Sequence, residues 1–332
     1  MRRLLSIIML ALAAWTLLPA ASALATVKPP TPPSLQRFGV RLVPVSATGD
    51  PRALRYIIDY VPSGTVIHRR ILVVNQGTRN AHLTVFPDAA LISQGLFTGD
   101  AGATPNELTG WISVQHPALT LGPNASVMDM ITIKVPREAT RGEHYGVIWV
   151  QQVAHTRAAN GFGLTEVGRV GIRIYLAVGR GGAPPTTFAI TSITGHRPAS
   201  RQPFILARVD NTGGRAVDLN GTANLTGGPG NASAGPIPAQ QIITLAPGQS
   251  GNMTFAPGKQ LPAGPWKAKV TLVSGFTTNT ASAAIEFNAP AAPHRGLPFM
   301  LWAALLVLAL ALALAVAAAF TRHARWYRRM PV

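Results

Sequence analysis

Met128-Asp-Met-Ile-Thr-Ile-Lys-Val135 alternates at every position. Successive side chains of an extended strand point to opposite faces. Met128, Met130, Thr132 and Lys134 therefore share one side, and Asp129, Ile131, Ile133 and Val135 share the other. Only the second set carries an unbroken aliphatic stripe, so that face is expected to be buried. Similar stretches lie on both sides: Val40–Val43, Arg70–Val74 and Ala81–Val85 before it, Tyr145–Val153 (YGVIWVQQV) and Val170–Val178 (VGIRIYLAV) after it. In the third of these His82 alternates with Leu83 and Val85 and is expected to face solvent. The polar, glycine-containing stretch HTRAANGFGLTEVGR joins the last two stretches, as in a long hairpin. No segment between the two ends of the chain has sustained helical periodicity. Short strands between turn signals imply antiparallel β-sandwiches.

The pattern occurs twice. VVNQGTRNAHLTV sets Asn75 and Gly77 between two strands, and RVDNTGGRAVDLNGTANL does the same with Asn211 and Gly213. Leu119-Thr-Leu-Gly-Pro-Asn-Ala-Ser126 matches Ile243-Thr-Leu-Ala-Pro-Gly-Gln-Ser250. ATRGEHYGVIWV from Ala139 matches LPAGPWKAKVTL from Leu261. Asn-x-Gly reads as the source of a positive φ in a tight turn, and the Leu-x-Pro-x-x-Ser stretch as the corner before a strand. The fold expected is all-β, two tandem immunoglobulin-like sandwiches at 38–182 and 183–288, followed by one transmembrane helix. The seam Gly179–Pro185 (GRGGAPP) is expected to leave the two sandwiches with separate cores.

The ends set the expected address. Residues 1–25 combine a basic start, a short apolar core and Ala23-Leu24-Ala25, the pattern of a cleaved secretory signal. A proline-rich leader occupies 26–37, with TVKPPTPPS favouring extended backbone. A juxtamembrane linker follows the sandwiches at 289–296. From Leu297 to Phe320 the chain is apolar and uncharged, long enough for the ~20 residues of a membrane-crossing helix. The tail 321–332 carries Arg322, Arg325, Arg328 and Arg329, which belong on the cytoplasmic side. The expectation is a single-pass type I protein of the cell membrane with its bulk outside.

The formal charge is +17, of which +11 remains once Arg2, Arg3 and the four tail arginines are set aside. The exterior arginines are scattered, Arg69-Arg70 being the one adjacent pair, and no nucleic-acid module is legible. Nucleic acid is not expected as a partner; anionic wall polymers are. Cysteine is absent, which in a long exported chain points to a bacterial surface protein.

The opening FGVRLVPV, the unit ILVVNQGTRNAHLTV, the corner LTLGPNASVMDMITIKVP and the strand YGVIWVQQ, followed by a terminal apolar segment and Arg-rich tail, resemble the bacterial WxL-interacting proteins. The resemblance is strongest from Phe38 to Val178. It implies a non-enzymatic cell-surface protein whose first sandwich binds peptidoglycan and whose second binds a protein partner.

Chemistry points the same way. The chain contains no Gly-x-Ser-x-Gly, His-Glu-x-x-His or P-loop. Asp88, Asp100 and Glu107 read as loop acids rather than a glycosidase pair. No metal or cofactor is expected. The ligand-binding candidates are Trp111, Asn106, Trp149, Arg141 and Tyr145. Trp111 is read either as a sandwich plug, like Trp266, or, beside Asn106 and Glu107, as a sugar-stacking platform, and Trp149 sits at the balance between core and surface. The alternative function is that of a pilus-chaperone-like assembly factor, which acts on protein clients by strand addition.

Overall fold

The computed structural model describes residues 35–45, 49–100, 102, 104–157, 163–198, 202–289 and 299–327. The expected signal and most of the proline-rich leader lie outside these residues.

Short branched and alternating segments form β1 (Phe38–Leu42), β2 (Ile57–Val61), β3 (Val66–Asn75), β4 (Ala81–Ser93), β5 (Leu96–Gly99), β6 (Ile112–Val114), β7 (Ala118–Leu121), β8 (Ser126–Lys134), β9 (Gly142–Arg157) and β10 (Gly163–Val178). One sheet has the order β1-β3-β8-β6. The other runs β2-β10-β9-β4-β5, with β7 also on β4. The second unit comprises β11 (Phe188–His196), β12 (Phe204–Asn211), β13 (Val217–Gly228), β14 (Ala232–Pro238), β15 (Ile243–Leu245), β16 (Ser250–Phe255), β17 (Gly264–Ser274) and β18 (Thr277–Phe287). Its sheets are β11-β12-β16 and β14-β13-β17-β18, with β15 on β13. These are two immunoglobulin-like sandwiches. The pairing is antiparallel except where β2 lies parallel to β10.

Each sandwich closes its own core. Ile71, Val73, Ile131 and Ile133 of one sheet pack on Leu83, Val85, Ile148 and Ile174 of the other. Ile205, Val209 and Phe255 meet Leu219, Trp266, Val270 and Leu272 in the second unit. The β8 stripe falls as the alternation requires, with Ile131 and Ile133 fully buried. Asp129 shares that face because its carboxylate accepts bonds from the His116 and Met130 amides at 3.1 and 2.9 Å. Such bonds offset the cost of burying a charge. His82 is exposed.

The repeat is real in the backbone, though its glycines act otherwise than the turn signal implied. Gly77 and Gly213 do not adopt positive φ. Positive φ falls instead at Asn124 (55°) and its counterpart Gly248 (76°), and at Gly142 (121°) and its counterpart Gly264 (125°). Gly77 and Gly213 are needed for close approach: a Cβ there would come within 2.5 Å of Gln36 Oε1 and of the Pro185 carbonyl, respectively. Two further expectations change. The polar stretch after Val153 continues both strands of the hairpin, whose cross-strand register runs unbroken from Arg157 and Gly163 to Gly142 and Val178. Asp88 belongs to a strand, β4, and is fully buried rather than in a loop.

The chain ends in α1 (Phe299–Tyr327), whose leucines from Leu305 to Leu314 are exposed.

Candidate functional site: a strand edge above an interdomain cleft

β10 pairs with β9 along its whole length, whereas β2 covers its other edge only from Ile174 to Val178. Among the described residues no strand pairs with Gly163–Arg173 on that side. The reason is local. Asp50 caps a short 3-10 turn at Pro51–Leu54 by accepting from the Arg52 amide at 2.9 Å, so the chain reaches the sheet only at Ile57. Pro62 follows the end of β2. The uncovered stretch, Gly163-Leu-Thr-Glu-Val-Gly-Arg-Val-Gly-Ile-Arg173, contains no proline, and its pairing with β9 contains no bulge. Leu164 and Val167 stand 67 and 48% exposed. Phe38 and Leu35 pack near Gly168 from the core side.

β10 sends Ile172, Ile174 and Leu176 into the core, so its alternate residues Arg169, Gly171, Arg173 and Tyr175 face outward. Their partners on β9 are Gln151, Trp149, Val147 and Tyr145. Arg169 donates to Gln151 and lies 6.0 Å from the Phe86 ring. Arg173 lies over Phe97 at 4.8 Å and Tyr56 at 5.4 Å. The Trp149 ring sits against Gly171 and Gly99, where a Cβ would come within 2.6 and 2.8 Å of ring atoms. Glycine at 171 thus gives the indole its place on the outer face.

At the foot of this edge the sandwiches meet through charged and aromatic side chains. Arg52 bonds to Asp50 and, across the domains, to Asp218, each at 2.8 Å. Tyr175 donates to Asp218 at 3.3 Å, and Arg173 approaches the same carboxylate at 3.6 Å. Glu143 accepts from Tyr145 Oη at 2.8 Å and from the Ala216 amide at 2.5 Å. Arg215 reaches Tyr60. Backbone joins in: the Thr244 amide donates to the Gly95 carbonyl at 2.8 Å, and Gln249 donates to the Ile92 carbonyl at 2.9 Å. Burial pushes the Glu143 carboxyl up, against bonds from Tyr145 and Ala216 that pull it down. Burial also acts to raise Asp50, but Arg52 outweighs it and holds that carboxyl below its ordinary value. Beside the network opens a cavity of about 570 Å³ lined by Arg52, Arg55, Tyr56, Arg173, Asp218 and Ile242.

The candidates named from the sequence do not form one site. Trp111 is 9% exposed and joins the core beside Leu108, with its ring 4.9 Å from His144. The 3-10 turn Thr109–Trp111 directs it inward, so it is not a sugar platform. Asn106 closes that turn by accepting from the Thr109 amide and donating to the Tyr145 carbonyl, both at 2.9 Å. Arg141 is exposed in the turn before β9. Tyr145 belongs to the interdomain network, and Trp149 is half-buried on the outer face. Arg52, Glu143, Arg169, Arg173 and Asp218 were not singled out from the sequence. The Arg-x-x-x-Arg alternation that opens VGIRIYLAV from Arg169 was the signal available.

No family model matches the chain, and the search of curated proteins returns no match. Solved structures do. The Salmonella enterica SafA pilin–SafB chaperone complex has a TM-score of 0.41 at 12% identity, covering 77% of this chain and 99% of that one. For the YadV chaperone the values are 0.40, 10%, 74% and 98%. The E. coli chaperone DraB gives 0.37, 14%, 77% and 100%.

Proposed function

We propose that this chain is a membrane-anchored, non-enzymatic surface protein that takes up a protein client by strand addition along Gly163–Arg173. The uncovered edge of β10 carries the reading. A row of unpaired backbone N–H and C=O groups is a template for another chain, and proteins commonly blunt such edges with proline or a bulge. Neither protects this one. Leu164 and Val167 supply apolar contact at its outer end. The resemblance to WxL-interacting proteins implied a peptidoglycan role, and the aromatic named as its sugar platform, Trp111, is buried. A polypeptide partner fits the edge better.

The anchor is the charge-free stretch Leu297–Phe320, within which α1 begins. Among the described residues no helix is long and apolar enough to cross a membrane. In the sequence the uncharged apolar run extends from Leu297 to Phe320. β18 starts beside the interdomain seam, with Thr277 bonded to the Thr186 carbonyl, and its 11 residues end at Phe287. At ~3.3 Å per residue the cleft stands about 36 Å from the point where the chain leaves the sandwich.

A photo-crosslinking residue at Val167 in intact cells tests the reading. A discrete adduct with one exported protein, joined within an extended segment, is expected. Adducts to glycan alone, or an identical pattern from the same residue at Thr278, would refute it.

A further inference from the structure

The open edge of β10 has a defined parity. The Gly179 amide, one residue past β10, donates to the Val61 carbonyl of β2 at 3.0 Å. Backbone groups alternate between the two edges of a strand, and no bulge interrupts β10, so its odd-numbered residues turn N–H and C=O toward this edge. From Gly163 to Gly171 those groups meet no strand among the described residues. Beyond them Tyr56 already lies opposite Arg173, one residue before the pairing of Ile57 with Ile174. An incoming strand therefore has Gly163–Ile172 and no more. It must also leave undisturbed the Trp149 ring over Gly171 and the bond from Arg169 to Gln151.

The same stretch of a second chain meets those conditions. Two copies of β10, antiparallel about a two-fold axis through Val167 and perpendicular to the sheet, set Val167 against itself, Thr165 against Arg169 and Gly163 against Gly171. These odd-numbered pairs are the ones that exchange two backbone bonds each. Glycine opposite Gly171 brings no side chain into the space that Trp149 fills. Threonine opposite Arg169 is small and uncharged, and leaves the bond to Gln151 in place. On the other face Leu164, 67% exposed, meets the aliphatic Val170. Glu166 meets Gly168 beside Leu35 and Phe38, and the charged residue between those two is the exposed cation Arg37. Shifted registers lose length or meet an obstacle. Centring on Thr165 shortens the ladder to Gly163–Val167. Centring on Glu166 sets two carboxylates face to face, on Gly168 puts Thr165 over Gly171, and on Arg169 opposes two arginines.

We propose that this chain forms a two-fold dimer by pairing β10 with β10 of a second copy over Gly163–Gly171, the state of the edge when no client occupies it. An isologous interface needs only self-complementarity, and this one shields an edge that neither proline nor a bulge protects. The dimer shares the open edge with the strand-addition reading and makes the two occupants mutually exclusive.

The chain contains no cysteine, so a single introduced thiol reports the axis. Val167→Cys in the full chain, in detergent micelles under mild oxidation, should give a disulfide-linked dimer. Residues opposite each other in such a pair lie ~5.5 Å apart at Cα, within the range a disulfide bridges. Val153→Cys and Leu164→Cys, at exposed positions of the same hairpin, should not. Val153 neighbours Val167 on β9 and sits three strand spacings, ~14 Å, from its own copy. Leu164 lies ~20 Å along the ladder from its copy. Light scattering of the unaltered chain should give twice the mass of one chain. Val167→Lys opposes two lysines on the axis and should weaken association at least about tenfold. Val167→Pro removes a donor from the open edge, spares the amides that bond β9, and should give a monomer with unchanged far-UV circular dichroism. Cross-linking to an equal extent at all three cysteine positions marks random collision and overturns the dimer. Survival of the dimer in both Val167→Lys and Val167→Pro overturns this edge as its seat. A one-chain mass at every concentration, with a Val167 photo-adduct to a different exported protein, overturns the dimer and leaves strand addition standing. A Val167 photo-adduct to a second copy and to no other protein supports the dimer and removes the client.

Discussion

Asn75 and Asn211 hold the same position in the two sandwiches and make the same bonds. Asn75 Nδ2 donates to the carbonyls of Arg79 and Leu121 at 2.8 and 2.9 Å, and its Oδ1 accepts from the Gly77 amide at 2.9 Å. Asn211 Nδ2 donates to the carbonyls of Arg215 and Leu245, both at 2.9 Å, and its Oδ1 accepts from the Gly213 amide at 3.0 Å. Both asparagines are buried. Each fastens a hairpin turn to the short strand that precedes the Pro-containing corner.

Removing that fastening is expected to be costly. Asn75→Ala leaves buried carbonyls and the Gly77 amide without partners, at ~1–3 kcal/mol for each group that water cannot reach. The loss should be on the order of 3 kcal/mol in the first sandwich, read from urea unfolding of the full chain in detergent. Asn211→Ala should do the same to the second. Asn75→Asp keeps the acceptor but not the donor, so it should rescue little. A stability unchanged within ~0.5 kcal/mol, the range of ordinary surface substitutions, would show that the bonds are incidental.

Asp218 is where the two units are tied. It receives Arg52 from the first sandwich at 2.8 Å and Thr244 from its own at 2.6 Å. Breaking a buried pair by removing one partner costs ~3–5 kcal/mol. Asp218 keeps about a tenth of its side chain exposed, so the lower end of that range applies. In calorimetry Asp218→Ala should split one concerted transition into two. The seam Gly179–Pro185 on its own would have left the sandwiches independent, and two transitions already present in the unaltered chain would restore that view.

Glu143 gives the interface a pH dependence of defined sign. Burial raises its folded pKa above the ordinary value of 4.5. Between those two values the folded chain holds a proton that the unfolded chain has released. Stability from this group is therefore full below about pH 4.5 and is lost as pH rises through the folded pKa. Asp50 acts oppositely: its lowered carboxyl contributes stability above its unfolded pKa and loses it in stronger acid. Glu143→Gln should flatten the fall in Tm above pH 4.5 and leave the acid limb intact. The same slope in both proteins would remove Glu143 as its source.

The architecture was legible where the signal was local. Alternation at Met128–Val135 set a buried face, and the matched segments Leu119–Ser126 with Ile243–Ser250, and those from Ala139 and Leu261, announced two copies of one plan. Trp111 and Trp266 both plug a core, one of the two readings the sequence allowed for Trp111; the sequence could not choose between them, because a 3-10 turn that directs a side chain inward leaves no periodicity. The uncovered edge of β10 was hidden for another reason. It depends on how few residues β2 spends in the sheet, a tertiary fact that neither strand carries alone. The interdomain network joins Asp50, Arg52, Glu143, Tyr175, Arg215 and Asp218, residues far apart in sequence, and each looks like an ordinary surface charge or strand aromatic until the chain folds.

The proposed orientation of the chain rests on its charge-free segment and arginine tail and can be checked directly. The stretch from Leu297 to Phe320 carries no charge, whereas the tail holds Arg322, Arg325, Arg328 and Arg329. Cationic residues next to a span remain cytoplasmic. Each costs ~2.5–3.5 kcal/mol at the centre of a bilayer, so the tail is not expected to cross. Protease added to intact cells should therefore remove the sandwiches and spare a tag placed after Val332. Replacing Leu308 and Leu312 with Arg adds two such penalties, and the protein should then leave the membrane fraction and appear in the medium or periplasm. A tag cut in unbroken cells would reverse the orientation. Retention of the double-arginine variant in the membrane would show that something other than this helix holds the protein there.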